Sequence, residues 1–158
     1  MAKIKLTRDF KEFLALLNSV RIEYLLIGGY AVALYGHVRH TKDIDIWILP
    51  SEQTMTGLIE ALVKFGFSRA SLESQPLFTD KQTVLRMGNP PDRIEILSKI
   101  SGTEFVDAYP RRSIISMDGL ELPVIALQDL LANKLASGRP KDLIDYAVLI
   151  KNKDAKIL

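Results

Sequence analysis

At 158 residues the chain is about the size of one ordinary domain, and its 47% apolar and 25% charged residues are the balance of a globular protein. The absence of cysteine excludes a disulfide scaffold, a thiolate zinc site and a cysteine nucleophile. With 21 basic and 19 acidic residues the formal charge is only +2, which argues against a general electrostatic grip on duplex DNA or a membrane surface.

The N-terminus carries basic residues with no apolar core behind them, so it does not read as a signal peptide. The longest apolar run, Tyr24 to Tyr35, contains two glycines and falls well short of the roughly 20 residues a bilayer span needs. A cytoplasmic protein is expected.

Thr7 is placed to cap a helix whose apolar positions are Phe10, Phe13, Leu14, Leu16, Leu17 and Val20. Tyr24 to Ile27 reads as a short buried strand stopping at Gly28-Gly29, followed by a short helix from Tyr30 to Tyr35 that Gly36 ends. His37 to Lys42 is polar and cationic, which predicts a loop, and the Ile-rich alternation from Asp43 to Leu49 predicts a strand. Pro50-Ser51 opens the next helix and Gly66 closes it. Two hairpins are expected next. One pairs Thr83–Met87 with Arg93–Leu97, and the other pairs Ser113–Ser116 with Leu120–Val124 through Asp118-Gly119. Helices over Leu127–Ser137 and Pro140–Lys151 finish the chain, Gly138 ending the first and Pro140 sitting in the first turn of the second. The whole is expected to be one α/β domain over residues 1–158, with a core at 1–125 and C-terminal helices at 126–158 packed on it.

The chemistry concentrates in two places. In a strand, residues i and i+2 share a face, so Asp43 and Asp45 stand side by side while Ile44, Ile46 and Ile48 face the core. Adjacent carboxylates repel, and a divalent cation between them reverses the sign. Oxygen-only ligands of this kind suit Mg2+ or Mn2+. Glu95, flanked by Ile94 and Ile96, is a third acid in a strand setting. If its strand neighbours the first, three carboxylates converge, the arrangement that two-metal phosphoryl and nucleotidyl transfer uses. Gly28-Gly29 lets backbone approach an anion closely.

Each of these has a plainer alternative. Asp-Ile-Asp-Ile also describes the wet face of an antiparallel sheet, Glu95 could form an ordinary surface ion pair, and Gly28-Gly29 could be only a tight turn. Lys134, Arg139 and Lys141 could ring a triphosphate or simply be a solvated helix junction, in which Asp142 favours the start of its own helix and Asp145 holds Arg139 or Lys134. Trp47 falls on the face of the acids, free to stack on a base or to pack. His37 and His40 lack the third partner a zinc site needs.

The order Gly28-Gly29-Tyr30-Ala31-Val32-Ala33-Leu34, then Arg39-x-Thr41-x-Asp43-Ile44-Asp45-Ile46, resembles the minimal nucleotidyltransferases of the DNA polymerase beta superfamily. The AbiEii-like branch, some of whose members are toxins of toxin–antitoxin pairs, is the most similar, and lincosamide nucleotidyltransferases share the layout. The segment from Leu122 to Lys134 and on through Arg139-Pro140-Lys141-Asp142 to Asp145 extends the resemblance over nearly the whole chain.

The resemblance implies a mixed twisted sheet flanked by helices, with Asp43, Asp45 and Glu95 as catalytic metal ligands for Mg2+ or Mn2+. It implies transfer of a nucleoside monophosphate from a nucleoside triphosphate to an acceptor hydroxyl on an RNA end, a protein or a small molecule. Gly28, Gly29, Arg39, Thr41, Lys134 and Arg139 are the expected substrate and phosphate contacts. No general base beyond the acids is visible in the sequence, so deprotonation of the acceptor is assigned to Glu95, or the acceptor attacks as a metal-bound alkoxide. A component of a toxin–antitoxin pair, acting mainly by binding its cognate antitoxin or toxin protein, is the alternative. The third acid is often Asp in the superfamily, and here it is Glu95.

Overall fold

Local signals start most elements where they are expected. The computed structural model describes residues 5–39, 43–75, 84–88 and 93–153. The Thr7 hydroxyl accepts from the Phe10 amide at 3.2 Å and opens α1 (Arg8–Ser19), whose apolar stripe buries Phe10, Phe13, Leu14 and Leu17. Ser51 likewise accepts from the Thr54 amide to begin α3 (Glu52–Phe65), and Gly66 ends it. Phe13 stacks on Phe65 with ring centroids 5.6 Å apart, joining these two helices. Each fully buried side chain, such as Phe13, Leu14 or Leu17, contributes about 1.5–3 kcal/mol relative to exposure.

Between them, β1 (Tyr24–Ile27) is buried along its length, α2 (Gly28–Leu34) follows without a linker, and β2 (Asp43–Ile48) returns antiparallel to β1. The helix therefore begins two residues before the expected Tyr30, because both glycines join its first turn. The hairpin strands β3 (Val84–Met87) and β4 (Arg93–Leu97) are antiparallel, as are β5 (Ser113–Met117) and β6 (Leu120–Val124). Asp118 and Gly119 both take positive φ, 51° and 80°, which is what a tight two-residue hairpin turn demands.

Among the described residues six strands form one mixed sheet in the order β3-β4-β2-β1-β6-β5, with β2–β4 and β1–β6 parallel. Two short helices, α4 (Arg69–Glu73) and α5 (Phe105–Ala108), and a 3-10 turn at Tyr109–Arg111 have no counterpart in the sequence reading. One turn of helix is too short to show a period. The C-terminal pair α6 (Leu127–Ser137) and α7 (Pro140–Lys151) have the expected bounds, with Gly138 left-handed at φ 65° between them. The Tyr35 hydroxyl donates to the Ile125 carbonyl at 2.7 Å, so the end of α2 is tied to the chain just past β6. None of the described helices is long and apolar enough to cross a membrane.

Candidate active site

Strand pairing sets the geometry of the site. Ile27, the last residue of β1, is opposite Asp45, and the next residue, Gly28, turns with φ 67°. A Cβ on Gly28 would stand 2.0 Å from Asp45 Oδ2. Glycine is thus required twice, by the left-handed backbone and by the carboxylate resting on it. Gly28→Ala is expected to cost about 1–3 kcal/mol from backbone strain alone, and more because Asp45 must move. A urea unfolding curve of the variant measures this.

On the other side of β2, Asp45 is opposite Glu95 in the parallel β2–β4 pair, and Asp43 is opposite Arg93. The three predicted acids therefore lie on adjacent strands. Their electrostatics show the strain expected of clustered carboxylates. Burial, a hydrogen bond shared with Glu95 and the negative charges of Glu95 and Asp43 push the Asp45 carboxyl up to about 7, with Lys134 opposing. The other two acids face arginines. Arg86 Nε donates to Glu95 Oε1 at 2.8 Å, and Arg93 Nε lies 3.8 Å from Asp43 Oδ1. Among the described residues no three His, Asp or Glu side chains form a group placed to hold a metal ion. The donor set, oxygen-only and mutually repelling, nevertheless has the chemistry a hard divalent cation fits.

Behind the acids is a buried ionic network that joins three segments. Lys134 Nζ, on α6, stands 3.0 Å from Asp142 Oδ1 and 3.0 Å from Asp145 Oδ2, both on α7. Its side chain is only 7% exposed, and those of the two aspartates 2% and 1%. Arg39 grips Asp145 with Nε and Nη2, both at 2.9 Å, and His37 Nε2 lies 3.5 Å from the same carboxylate. Arg139 Nε donates to Asp142 at 2.6 Å, and the Ser137 hydroxyl donates to it as well.

Burial alone would raise both carboxyls, but these donors outweigh it. They hold Asp142 down at about 2 and place Asp145 below the usual carboxylate range. Asp142 thus does more than favour the start of its helix, and Asp145 holds Lys134 and Arg39. Arg139, by contrast, is 77% exposed.

A cleft of about 770 Å3 opens over these groups. It brings together the acids Asp43, Asp45 and Glu95, the glycines Gly28 and Gly29, and the cations Arg39, Lys134 and Arg139. Thr41, the remaining expected contact, lies outside the described residues, as do His40 and Lys42. The structure adds Arg86, Lys99, Ser101, Asn133, Ser137 and Lys141 to the lining. Of these only Lys141 drew notice in the sequence. Arg86 could have been found from the hairpin register, which sets it opposite Glu95. Trp47 is 1% exposed and meets Phe105 edge-on with centroids 5.2 Å apart, so it packs the far end of the acid-bearing face and does not line the cleft.

No curated protein matches the chain. Solved structures do share its fold. A lincosamide antibiotic adenylyltransferase, LnuA, determined with lincomycin bound, superposes with a TM-score of 0.56 at 15% identity, over 95% of this chain and 99% of that one. The antibiotic-resistance factor ANT(2'')-Ia gives 0.59 at 10% identity, over 92% and 82%. An antigenic nucleotidyltransferase-like protein from Paracoccidioides brasiliensis gives 0.51 at 17%, over 89% and 76%. At such low identity these superpositions show a shared fold. The match in sequence is more direct: over residues 4–158 the chain belongs to the family described as nucleotidyltransferase of unknown function, DUF6036.

Proposed function

We propose that this nucleotidyltransferase acts in the cytoplasm and moves a nucleoside monophosphate from a nucleoside triphosphate to an acceptor hydroxyl, with Mg2+ or Mn2+ held by Asp43, Asp45 and Glu95. The observation that carries this reading is the register that sets Asp45 opposite Glu95 with Asp43 beside it, at the mouth of a cleft edged by Gly28 and Gly29. A cation held there would offset charge on the three carboxylates and activate the acceptor oxygen.

The chain's own residues do the rest. Gly28, with no side chain, leaves room for Asp45 and for close approach of phosphate to backbone. Exposed Arg139 and Lys141 supply positive charge to the triphosphate, and Arg39 is fixed toward the cleft by its grip on Asp145. Thr41 completes the expected contacts. The acceptor hydroxyl gives up its proton, to Glu95 or to solvent before attack as an alkoxide, its oxygen bonds to the α-phosphorus, the α–β anhydride bond breaks, and pyrophosphate leaves.

The acceptor is an RNA end, a protein or a small molecule. Structural neighbours determined with lincomycin or with adenylyl-tobramycin make small hydroxylated acceptors the first to try. A second reading follows from the motif order shared with AbiEii-like proteins: the chain acts mainly by binding a cognate antitoxin or toxin protein.

The deciding experiment incubates the protein with each of the four triphosphates labelled at the α-phosphate, Mg2+ or Mn2+, and in turn an RNA pool, hydroxylated antibiotics and a cell extract. Wild type should transfer label and release pyrophosphate, and Asp43→Ala should do neither. Failure to transfer or bind any of the four overturns the enzymatic reading. Co-purification of a neighbouring gene product under those conditions favours the second.

A further inference from the structure

Arg86, Glu95 and Asp45 form a straight row across three neighbouring strands, because Arg86 is opposite Glu95 in β3–β4 and Asp45 is opposite Glu95 in β2–β4. Directly opposed residues share a face of the sheet, so the guanidinium and the two carboxylates lie on one side, at the cleft. Arg86 stands on the edge strand β3 with 63% of its side chain exposed, while Glu95 is 19% exposed. Its Nε–Oε1 bond of 2.8 Å occupies an oxygen that a cation would need.

We propose that Arg86 is the resident counter-ion of Glu95, which a divalent cation must displace, and that the displaced guanidinium becomes a ligand of the incoming triphosphate. This rests on the cation reading given above and adds a residue to it. Two features carry it. The pair is exposed on the Arg86 side, so holding it is worth only about a two- to fivefold factor in an equilibrium, and exchange is easy. The guanidinium also lies in the same cleft as Gly28, Gly29 and Arg139, and its planar fork matches phosphate oxygens better than an ammonium does. The site then keeps its charge balanced in both states. With no cation bound, arginine offsets the acid; with cation and nucleotide bound, the same arginine offsets phosphate.

The test measures Mn2+ affinity by electron paramagnetic resonance without nucleotide, for wild type, Arg86→Gln, Arg86→Lys and Lys99→Gln. Lys99 lines the same cleft and makes no ion pair among the described residues, so it controls for simple loss of a positive charge. Arg86→Gln should bind Mn2+ about two- to fivefold tighter than wild type, and Lys99→Gln should change less. In steady-state transfer, Arg86→Gln should raise KM for the triphosphate about tenfold with a smaller change in kcat, and Arg86→Lys should recover part of it. Equal Mn2+ affinity in wild type and Arg86→Gln overturns the proposal, as does an equal gain in Lys99→Gln. Wild type that binds no Mn2+ at all overturns the cation reading itself, and this proposal with it.

Discussion

Asp45→Asn is expected to yield a protein that is more stable than wild type and unable to transfer nucleotide. The Asp45 carboxyl is buried beside two other acids and holds its proton up to about pH 7, against 3.8 for an ordinary aspartate. Between those values the native state binds more protons than the unfolded chain, so stability falls as pH rises. The penalty is absent below about pH 4 and fully present above pH 7. Asparagine is isosteric, carries no charge and still donates toward Glu95.

In EDTA at pH 8 the variant should gain about 1–3 kcal/mol, or roughly 3–10 °C in Tm. At pH 4 the gain should vanish. Transfer should fall at least about 100-fold at both Mg2+ and Mn2+ saturation. Calorimetry across pH 4–8 checks the first part, and an equal Tm at pH 8 would show that the acids are not in conflict. Stability given up for function is a common signature of a working site.

Lys134→Met is expected to do the reverse and destabilise strongly. The ammonium stands between two carboxylates that are almost wholly buried, and removing it leaves both without their shared counter-charge. Breaking a buried pair in this way costs about 3–5 kcal/mol, and the remaining bonds from Arg39 and Arg139 hold the loss near the lower figure. A drop of about 6–12 °C in Tm follows for a domain of this size.

The pH dependence has a definite sign. Asp142 and Asp145 have lowered pKa values, so the stability they contribute is present above the unfolded value of 3.8 and is lost as pH falls through the folded one, about 2 for Asp142. The deficit of Lys134→Met should therefore be greatest at neutral pH and shrink in acid, where protonated carboxyls need no partner. Adding Asp142→Asn should restore part of the loss. A deficit that stays constant from pH 7 to pH 3 would mean that lost packing, not charge, is responsible.

Much of the frame was legible because it rests on local chemistry. Thr7, Ser51, Gly66 and Gly138 act on their own neighbours, and each marks the helix end where it falls in the sequence. The acids were legible for a related reason, since alternation in β2 and β4 fixes which side chains share a face. That β2 and β4 are adjacent and parallel is a fact of pairing, which the sequence offered only as a condition.

The ionic network was harder to read. Arg39 and Asp145 are 106 positions apart, and no pattern near either announces the other. Lys134 reads in sequence as a phosphate contact or as part of a helix junction held by Asp145, and in the fold two aspartates draw it into the interior. Trp47 departs from its strand's pattern because α5, a single turn without a period, covers that end of the face.

The span of that network also governs when the protein becomes competent during its synthesis. Strand β1 meets β2 early, but its other neighbour, β6, ends at Val124, and Arg39 finds its anchor only at Asp145. Contacts so distant along the chain form late, because the entropy of closing the intervening loop must be met first. A ribosome-bound chain that already carries Gly28, Asp43, Asp45 and Glu95 still lacks α7, and with it both carboxylates that fix Arg39 and Lys134. Nascent fragments thus hold Asp43, Asp45 and Glu95 without the scaffold that aims the cleft's cations, and the finished site is available only once translation has passed residue 145.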